Sequence, residues 1–179
     1  LLVALSFGAL GGLYGDFMRA AGAAERVFSL MDREPLIAPS GGLQPPKVAG
    51  HVVFESVNFN YPSRPDVQVL HGVDLEIRPG EIVALVGPSG GGKSTVASLI
   101  GRFYDPASGR IRLDDVDLRE IDVEWLHRHI GAVAQEPILF STTVADNILY
   151  GREGATIEEV EAAARAATAH DFVTGFPDG

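Results

Sequence analysis

The chain has 179 residues, enough for one ordinary domain with a sizeable core. Its formal net charge is −10 and its only lysines are Lys47 and Lys93, so we expect no nucleic-acid partner. The absence of cysteine excludes disulfides and thiolate metal sites, and the 46% hydrophobic content indicates membrane-associated sequence somewhere in the chain.

The chain begins with an apolar, glycine-rich stretch that ends at Asp16. This stretch is shorter than the about 20 residues that a helix needs to span a bilayer, but its small residues permit close helix packing in a membrane. From Asp16 onward, apolar residues recur at helical spacing among charged ones. Residues 1–34 therefore predict the end of a transmembrane helix and its cytoplasmic extension, with a buried soluble helix as the alternative for the apolar part.

A linker and an antiparallel β layer are predicted next. Residues 35–50 are rich in proline and glycine, as linkers are. Residues 51–61 have strand character, and residues 73–77 alternate apolar and polar side chains like a half-exposed strand.

A complete phosphate-binding loop pattern, GxxxxGKS, then runs from Gly87 to Ser94. It lies between an apolar run at 81–86, predicted as a strand buried on both faces, and a predicted helix over 93–104. Glycines let several backbone N–H groups point into one concavity, where the helix N-terminus adds positive partial charge. The predicted nucleotide-binding residues are Gly87, Ser89, Gly90, Gly91, Gly92, Lys93, Ser94 and Thr95.

Three side chains of the loop have predicted roles. Lys93 places its charge between the outer phosphates, Ser94 offers its hydroxyl to Mg²⁺, and Thr95 reaches an inner phosphate. A plain glycine-rich turn is the alternative, and the matching strand and helix on either side argue against it.

The predicted elements after this helix are a turn over 105–109, a strand over 110–113, the helix Val123–His129, a buried strand over 130–134, and a helix that a capping box opens at Thr156 and that runs to about Ala169. Trp125 is predicted to lie in the core, and His127 and His129 to be solvated.

The acidic pair Asp114 and Asp115 follows an alternating run rather than a buried apolar one, so we reject it as a catalytic metal-binding motif.

Taken in this order, the motifs resemble the nucleotide-binding domain of ATP-binding cassette (ABC) exporters, most closely half-transporters of the B subfamily. The resemblance covers essentially the whole chain. Beyond the phosphate-binding loop, it rests on residues 59–62 as the A-loop, 102–109 after the loop helix, 135–140 as the Q-loop and 146–148 at the start of the helical subdomain.

The resemblance implies an α/β fold, with a P-loop NTPase (RecA-like) core, an antiparallel β layer and the start of a helical subdomain, preceded by a membrane-derived helix. Residues 51–179 then form the N-terminal part of the nucleotide-binding domain. The family's signature, Walker B and switch-histidine motifs do not occur in the sequence, so the resemblance implies a truncated domain that is inactive alone. Asp115 also stands where the family usually has glycine.

The resemblance also implies residue roles. Tyr61 stacks on adenine, with plain packing as the alternative, and Gln135 ligates Mg²⁺ and holds a water. Lys93 and Gln135 are therefore the candidate catalytic residues, and ATP and Mg²⁺ the implied cofactors.

The implied function is ATP binding and hydrolysis coupled to transport of a substrate across a membrane. The implied partners are a second nucleotide-binding domain, identical or different, and the transmembrane domain, which contacts the side of Phe140. The parent protein is then integral to a membrane, with this domain on its cytoplasmic or matrix side. Two alternatives stay open: a non-catalytic nucleotide-sensing module, and a nucleotide kinase, against which the scarcity of arginine after Tyr150 argues.

Overall fold

The computed structural model describes residues 2–38, 40–152 and 154–176, so the two ends of the predicted domains, at positions 1 and 179, lie outside the described residues. The chain forms two compact units. The first ends at Gly131 and the second begins at Ala132.

The first unit begins with one long helix, α1 (Leu2–Met31). It joins the predicted apolar stretch and the amphipathic segment without a break, because neither contains the proline that would interrupt a helix. Apolar side chains along it are exposed, among them Phe7, Phe17 and Phe28. Within the described residues, none of the helices combines the length and the apolar character that crossing a membrane requires.

A four-stranded antiparallel sheet forms the centre of the first unit. Its strands are β1 (Val52–Asn60), β2 (Gln68–Ile77), β3 (Ser108–Leu113) and β4 (Val116–Asp117), in the order β2-β1-β3-β4. Val52 of the central strand pairs with Ile77 on one side and Leu113 on the other. The predicted antiparallel layer is therefore confirmed, although β2 begins at Gln68, well before residue 73.

Helix α2 (Lys93–Ile100), a 3₁₀ turn (Leu118–Glu120) and helix α3 (Val123–His129), with Ile121 between the last two, supply the remaining core side chains of the first unit. Trp125 is buried, as predicted. The core consists of Phe54, Val57, Phe59, Leu70, Val96, Leu99, Ile111, Leu113, Leu118, Ile121, Trp125 and Leu126.

Helix α2 ends at Ile100 and not at Tyr104, which corrects the predicted helix. Arg102 adopts the left-handed conformation (φ 49°), where a helix cannot continue. Its guanidinium donates to the carbonyl of Ile121 at 2.8 Å and to the carboxylate of Asp105 at 3.1 Å. These contacts fix the turn that leads from α2 to β3.

The strands predicted over 81–86 and 130–134 are not formed, and this is the main correction. Ile82 is 99% exposed and Val133 is 98% exposed, and neither segment pairs with a strand in the described part of the chain. A strand of a parallel sheet is stable only when neighbouring strands take its hydrogen bonds and other elements cover its faces. The apolar sequence is present here without such neighbours.

The segment predicted as a linker, residues 35–50, is packed within the first unit. Leu43 forms a parallel bridge with Ile121, and the backbone N–H of Gly41 donates to the Asp122 carboxylate at 2.9 Å. A Cβ at Gly42 would lie 2.7 Å from the Glu120 carbonyl oxygen, so the close approach requires glycine. Residues 35–50, called the docked segment below, are thus held in place at Gly41, Gly42 and Leu43.

The second unit is helical. It contains α4 (Val144–Leu149), α5 (Ile157–Ala166) and α6 (His170–Thr174). Both halves of the predicted capping box at Thr156 and Glu159 are present, although the helix ends at Ala166 rather than near Ala169. With the antiparallel sheet of the first unit, these helices define a mixed α/β fold.

Candidate functional site

The phosphate-binding loop connects residue 86 to α2 through backbone conformations that need glycine. Gly90 and Gly92 have φ angles of 80° and 81°, in the left-handed region, and the N–H of Gly91 donates to the Pro88 carbonyl at 3.1 Å. A Cβ at Gly92 would lie 2.6 Å from Cδ2 of Leu70, so the loop passes closely over β2. Gly90 and Gly92 are therefore required by the local geometry.

Lys93 lies over its own loop. Its Nζ donates to the carbonyl oxygens of Gly87 at 3.0 Å and Pro88 at 2.7 Å. Neutral carbonyls orient the ammonium group without neutralising its charge. The loop therefore combines a positive charge with the N-terminal end of α2, an arrangement that favours an anion such as phosphate.

Tyr61 lies directly after β1, at the centre of an aromatic group. Its ring meets Phe59 edge to face at a centroid distance of 4.9 Å and Tyr104 at 5.3 Å. Its hydroxyl forms a hydrogen bond of 2.9 Å with Oγ1 of Thr95, in the first turn of α2. Two predicted site residues that are far apart in sequence are thus in contact.

A cavity of about 780 Å³ opens beside this ring. Its volume lies within the range that is usual for small-molecule sites. Its lining comes from the end of β1, the turn after α2 and the start of the docked segment: Arg33, Pro35, Leu36, Ile37, Phe59, Asn60, Tyr61, Pro62, Ser63, Phe103, Tyr104 and Asp105.

Thr95 is only 4% exposed, and its hydroxyl is engaged by Tyr61. Its contact with an inner phosphate stays a prediction. The hydroxyl can serve both partners when it accepts from the Tyr61 O–H and donates its own O–H to phosphate. Ser89 and Ser94 are exposed at the loop, where a ligand can reach them.

Gln135 belongs to the second unit and is exposed at a bend, in a stretch without regular secondary structure. The strand that was predicted to end at Gln135 is not formed, so its catalytic role stays a prediction. Further along, the side-chain amide of Asn147 accepts from Phe140 N at 2.8 Å and donates to Phe140 O at 3.1 Å. These two hydrogen bonds fix the end of the predicted Q-loop to α4.

The oxygen donors of the loop suit Mg²⁺. Within the described residues there is no group of three or more histidine, cysteine, aspartate or glutamate side chains that could hold a metal ion. Mg²⁺ is commonly held by few protein oxygens together with substrate phosphates, so the exposed hydroxyl of Ser94 fits this ion without a carboxylate cage.

Sequence reasoning missed two contacts between distant segments of the first unit. Tyr104 belongs to the segment 102–109 that the family resemblance includes, but no sequence pattern placed its ring beside that of Tyr61. Asp122 caps α3 and also holds Gly41, and the hydrogen bond from the N–H of Trp125, followed by that of Gly41, lowers the pKa of its carboxyl. An aspartate before a helix is a recognisable cap signal, but its second partner is visible only in the structure.

The fold and the loop together define a P-loop nucleotide-binding domain of mixed α/β type. The sequence profile of the ABC transporter family matches residues 70–176, more than half of the chain. The chain therefore belongs to the ABC transporter family, which confirms the resemblance.

Individual relatives agree with this assignment. The chain is 48% identical to ABC transporter B family member 3 of Dictyostelium discoideum, over 91% of this chain and 12% of the relative. It is 48% identical to the mitochondrial potassium channel ATP-binding subunit of Rattus norvegicus, over 97% of this chain and 25% of the relative.

Among solved structures, the chain is similar to a bacterial Atm1-family ABC exporter with ATP bound. The TM-score is 0.81 at 38% identity, over 95% of this chain and 30% of that chain. The chain thus spans a quarter or less of the length of the two relatives named above.

Proposed function

We propose that this chain is the ATP-binding portion of an ABC exporter that couples ATP binding and hydrolysis to transport of a substrate across a membrane. The observation that carries the proposal is the loop at 87–94. It combines left-handed glycines, the start of α2 and the Lys93 ammonium held by neutral carbonyls. The similarity to an exporter solved with ATP bound supports the same nucleotide.

In this proposal each residue has a defined task. The loop amides and Lys93 bind the phosphates, Ser94 supplies an oxygen to Mg²⁺, and Tyr61 presents its ring to adenine beside the cavity. Mg²⁺ would compensate phosphate charge when bound. Gln135 orients the water, a task for which its neutral carboxamide is suited because it can donate and accept hydrogen bonds.

The proposal extends to partners and location. A second nucleotide-binding domain and a transmembrane domain are the expected partners, and this domain lies on the cytoplasmic or matrix side of the membrane. The names of the relatives, which include B-family transporters and a mitochondrial subunit, support a membrane assembly.

The test of nucleotide binding is Lys93→Ala in the natural full-length protein, measured as ATP affinity by calorimetry. Leaving phosphate charge without its partner costs about 2–5 kcal/mol, so we expect a loss of at least about 30-fold. Lys47→Ala is the matched control, because it removes the only other lysine, at an exposed position away from the loop. Unchanged affinity in Lys93→Ala would reject the phosphate-binding role.

Helix α1 gives a second test, of membrane association. Its exposed apolar side chains suit lipid or another apolar surface. We expect Phe7→Asp with Leu10→Asp to reduce flotation of the chain with liposomes, because a charge at an apolar membrane position is costly. The control is Ile82→Asp, which places a charge at an exposed apolar residue outside the helix. Equal losses in both variants would show that α1 is not the membrane-binding element.

A further inference from the structure

The cavity beside Tyr61 has two walls that come from different parts of the chain. One wall belongs to the proposed nucleotide site and contains Tyr61 and Tyr104. The other is the start of the docked segment, where Pro35, Leu36 and Ile37 line the cavity. The volume of about 780 Å³ falls within the usual range of small-molecule sites, so the cavity can take a base together with its ribose.

The aromatic neighbours of Tyr61 leave room for a base on its ring. The centres of the Phe59 and Tyr104 rings lie 4.9 Å and 5.3 Å from the centre of the Tyr61 ring, and 5.6 Å from each other. These three distances form a nearly equilateral triangle, so both neighbours lie to one side of Tyr61 and cannot cover both faces of its ring. They therefore leave one face for a stacked base.

Two polar side chains of the cavity are engaged within the protein. The side-chain amide of Asn60 donates to the Pro65 carbonyl at 2.7 Å, and the Asp105 carboxylate accepts from Nε of Arg102 at 3.1 Å. The side chains at 35–37 are apolar and offer no hydrogen bonds. The cavity therefore suits the flat face of a base, held by packing rather than by hydrogen bonds to its edge.

Leu36 provides an apolar surface that a ligand can cover. It lines the cavity although it is 85% exposed, and Ile37 beside it is half-buried. A ligand that covers Leu36 removes apolar area from water, which favours binding. The hydrogen bonds that fasten the docked segment lie further along, at Gly41 and Leu43, so such a ligand would hold a part of the segment that these bonds do not reach.

We propose that residues 35–37 form the second wall of the base site, so that the base of bound ATP packs between Tyr61 and Leu36. This inference rests on the proposed function and adds to it, because neither the phosphate-binding loop nor the aromatic residue at 61 assigns a role to residues before β1. Its consequence concerns α1, which ends at Met31, a few positions before Leu36. ATP bound in this way holds the chain between α1 and β1, so the nucleotide acts directly on the connection to α1.

Tripolyphosphate separates base binding from phosphate binding, because it carries the phosphate chain without base or ribose. Leu36→Ala removes most of the side chain from the wall, and the exposure of Leu36 means that the fold does not depend on it. In the natural full-length protein, we expect calorimetry to show about fivefold weaker ATP binding, as the loss of part of one apolar contact implies. The affinity for tripolyphosphate should stay within about twofold of the wild type, because the phosphate site is unchanged.

Two control variants accompany Leu36→Ala. Leu36→Met keeps an apolar side chain of similar volume, so its ATP affinity should stay within about twofold of the wild type. Val48→Ala shortens another exposed apolar side chain of the docked segment, one that is outside the cavity lining, and should leave ATP affinity unchanged.

Trypsin digestion, followed by mass spectrometry, tests the effect on the segment itself. Trypsin cuts after Arg33, which lines the cavity, and after Lys47, towards the far end of the docked segment. We expect saturating ATP to slow cleavage after Arg33 by about threefold or more and to leave cleavage after Lys47 unchanged, because only the first site lies beside the base. Saturating tripolyphosphate should slow neither cleavage, and Leu36→Ala should reduce the protection that ATP gives at Arg33.

Each outcome supports or overturns the inference. Unchanged ATP affinity in Leu36→Ala overturns it, and so do equal losses for ATP and tripolyphosphate, because the effect then arises at the phosphate site. Protection at Arg33 that is no greater than at Lys47, or that is equal for both ligands, also overturns it. If the wild type binds ATP but not tripolyphosphate, the comparison of Leu36→Ala with its two control variants decides. If the wild type binds neither ligand, the proposed function itself fails, which is a separate result.

Discussion

Asp114 offers a sharp test of how the docked segment is held. Its carboxylate accepts backbone N–H bonds from Ala49 at 2.7 Å, His51 at 2.8 Å and Gly50 at 3.4 Å. Asp114 lies in the two-residue turn between β3 and β4, far from these partners in sequence. The carboxylate thus fastens the end of the docked segment to this turn.

The cost of removing this carboxylate follows from the three bonds. Two have good length and the third is long, and hydrogen bonds to a charged acceptor contribute about 1.5–3 kcal/mol each when well shielded. Because Asp114 is only partly buried, we expect Asp114→Ala to lower the free energy of unfolding by about 2–4 kcal/mol. Asp114→Asn keeps one acceptor oxygen but turns the other into a donor, so about half of that loss is expected.

The same carboxylate predicts a dependence on pH. Burial raises the pKa of Asp114, but the N–H donors of His51, Ala49 and Gly50 outweigh it and hold the pKa below the ordinary 3.8. A lowered pKa in the folded state means that the stabilisation is fully present above about pH 4 and is lost as the pH falls through the folded value. Asp114→Asn should remove this part of the acid sensitivity.

The assay is urea unfolding followed by the fluorescence of Trp125, the only tryptophan of the chain, which is buried in the same unit. Measurements at pH 7 and pH 3 compare the wild type with both variants. Wild-type stability in Asp114→Ala would refute the reasoning. Equal losses of unfolding free energy in Asp114→Ala and Asp114→Asn would also refute it, because the acceptor oxygen that asparagine retains should preserve part of the stability.

Two further predictions concern glycine conformations. Gly92→Ala should cost about 2–5 kcal/mol, from the left-handed backbone and the contact with Leu70, whereas Gly90→Ala, with open space around its Cβ, should cost only the backbone part of about 1–2 kcal/mol; equal losses in urea unfolding would show that the contact with Leu70 relaxes freely. Asp115→Gly should raise stability by about 0.5–1 kcal/mol, because Asp115 has φ 69° and its side chain, which pairs with Arg112, is largely exposed. A loss of stability would mean that this ion pair outweighs the backbone strain.

The sequence by itself determined the features that depend on neighbouring residues. The start at Lys93 of the helix that follows the phosphate-binding loop, the capping box at Thr156 and the helix Val123–His129 are all formed as predicted. In each case the signal is a short pattern whose partners lie within a few positions, so the local backbone geometry follows from the local sequence. The antiparallel layer was equally readable, because alternating side chains mark its strands.

Only the tertiary structure decided which distant residues meet. Two hydrogen bonds join residues that no local pattern relates. One links the hydroxyls of Tyr61 and Thr95, and in the other the Asp114 carboxylate accepts from the backbone N–H of Ala49. The apolar run at 81–86 shows that local sequence can also predict an element that the structure does not form. Its composition predicts a buried strand, but pairing and burial depend on neighbouring strands, and without them in the described residues the run is exposed.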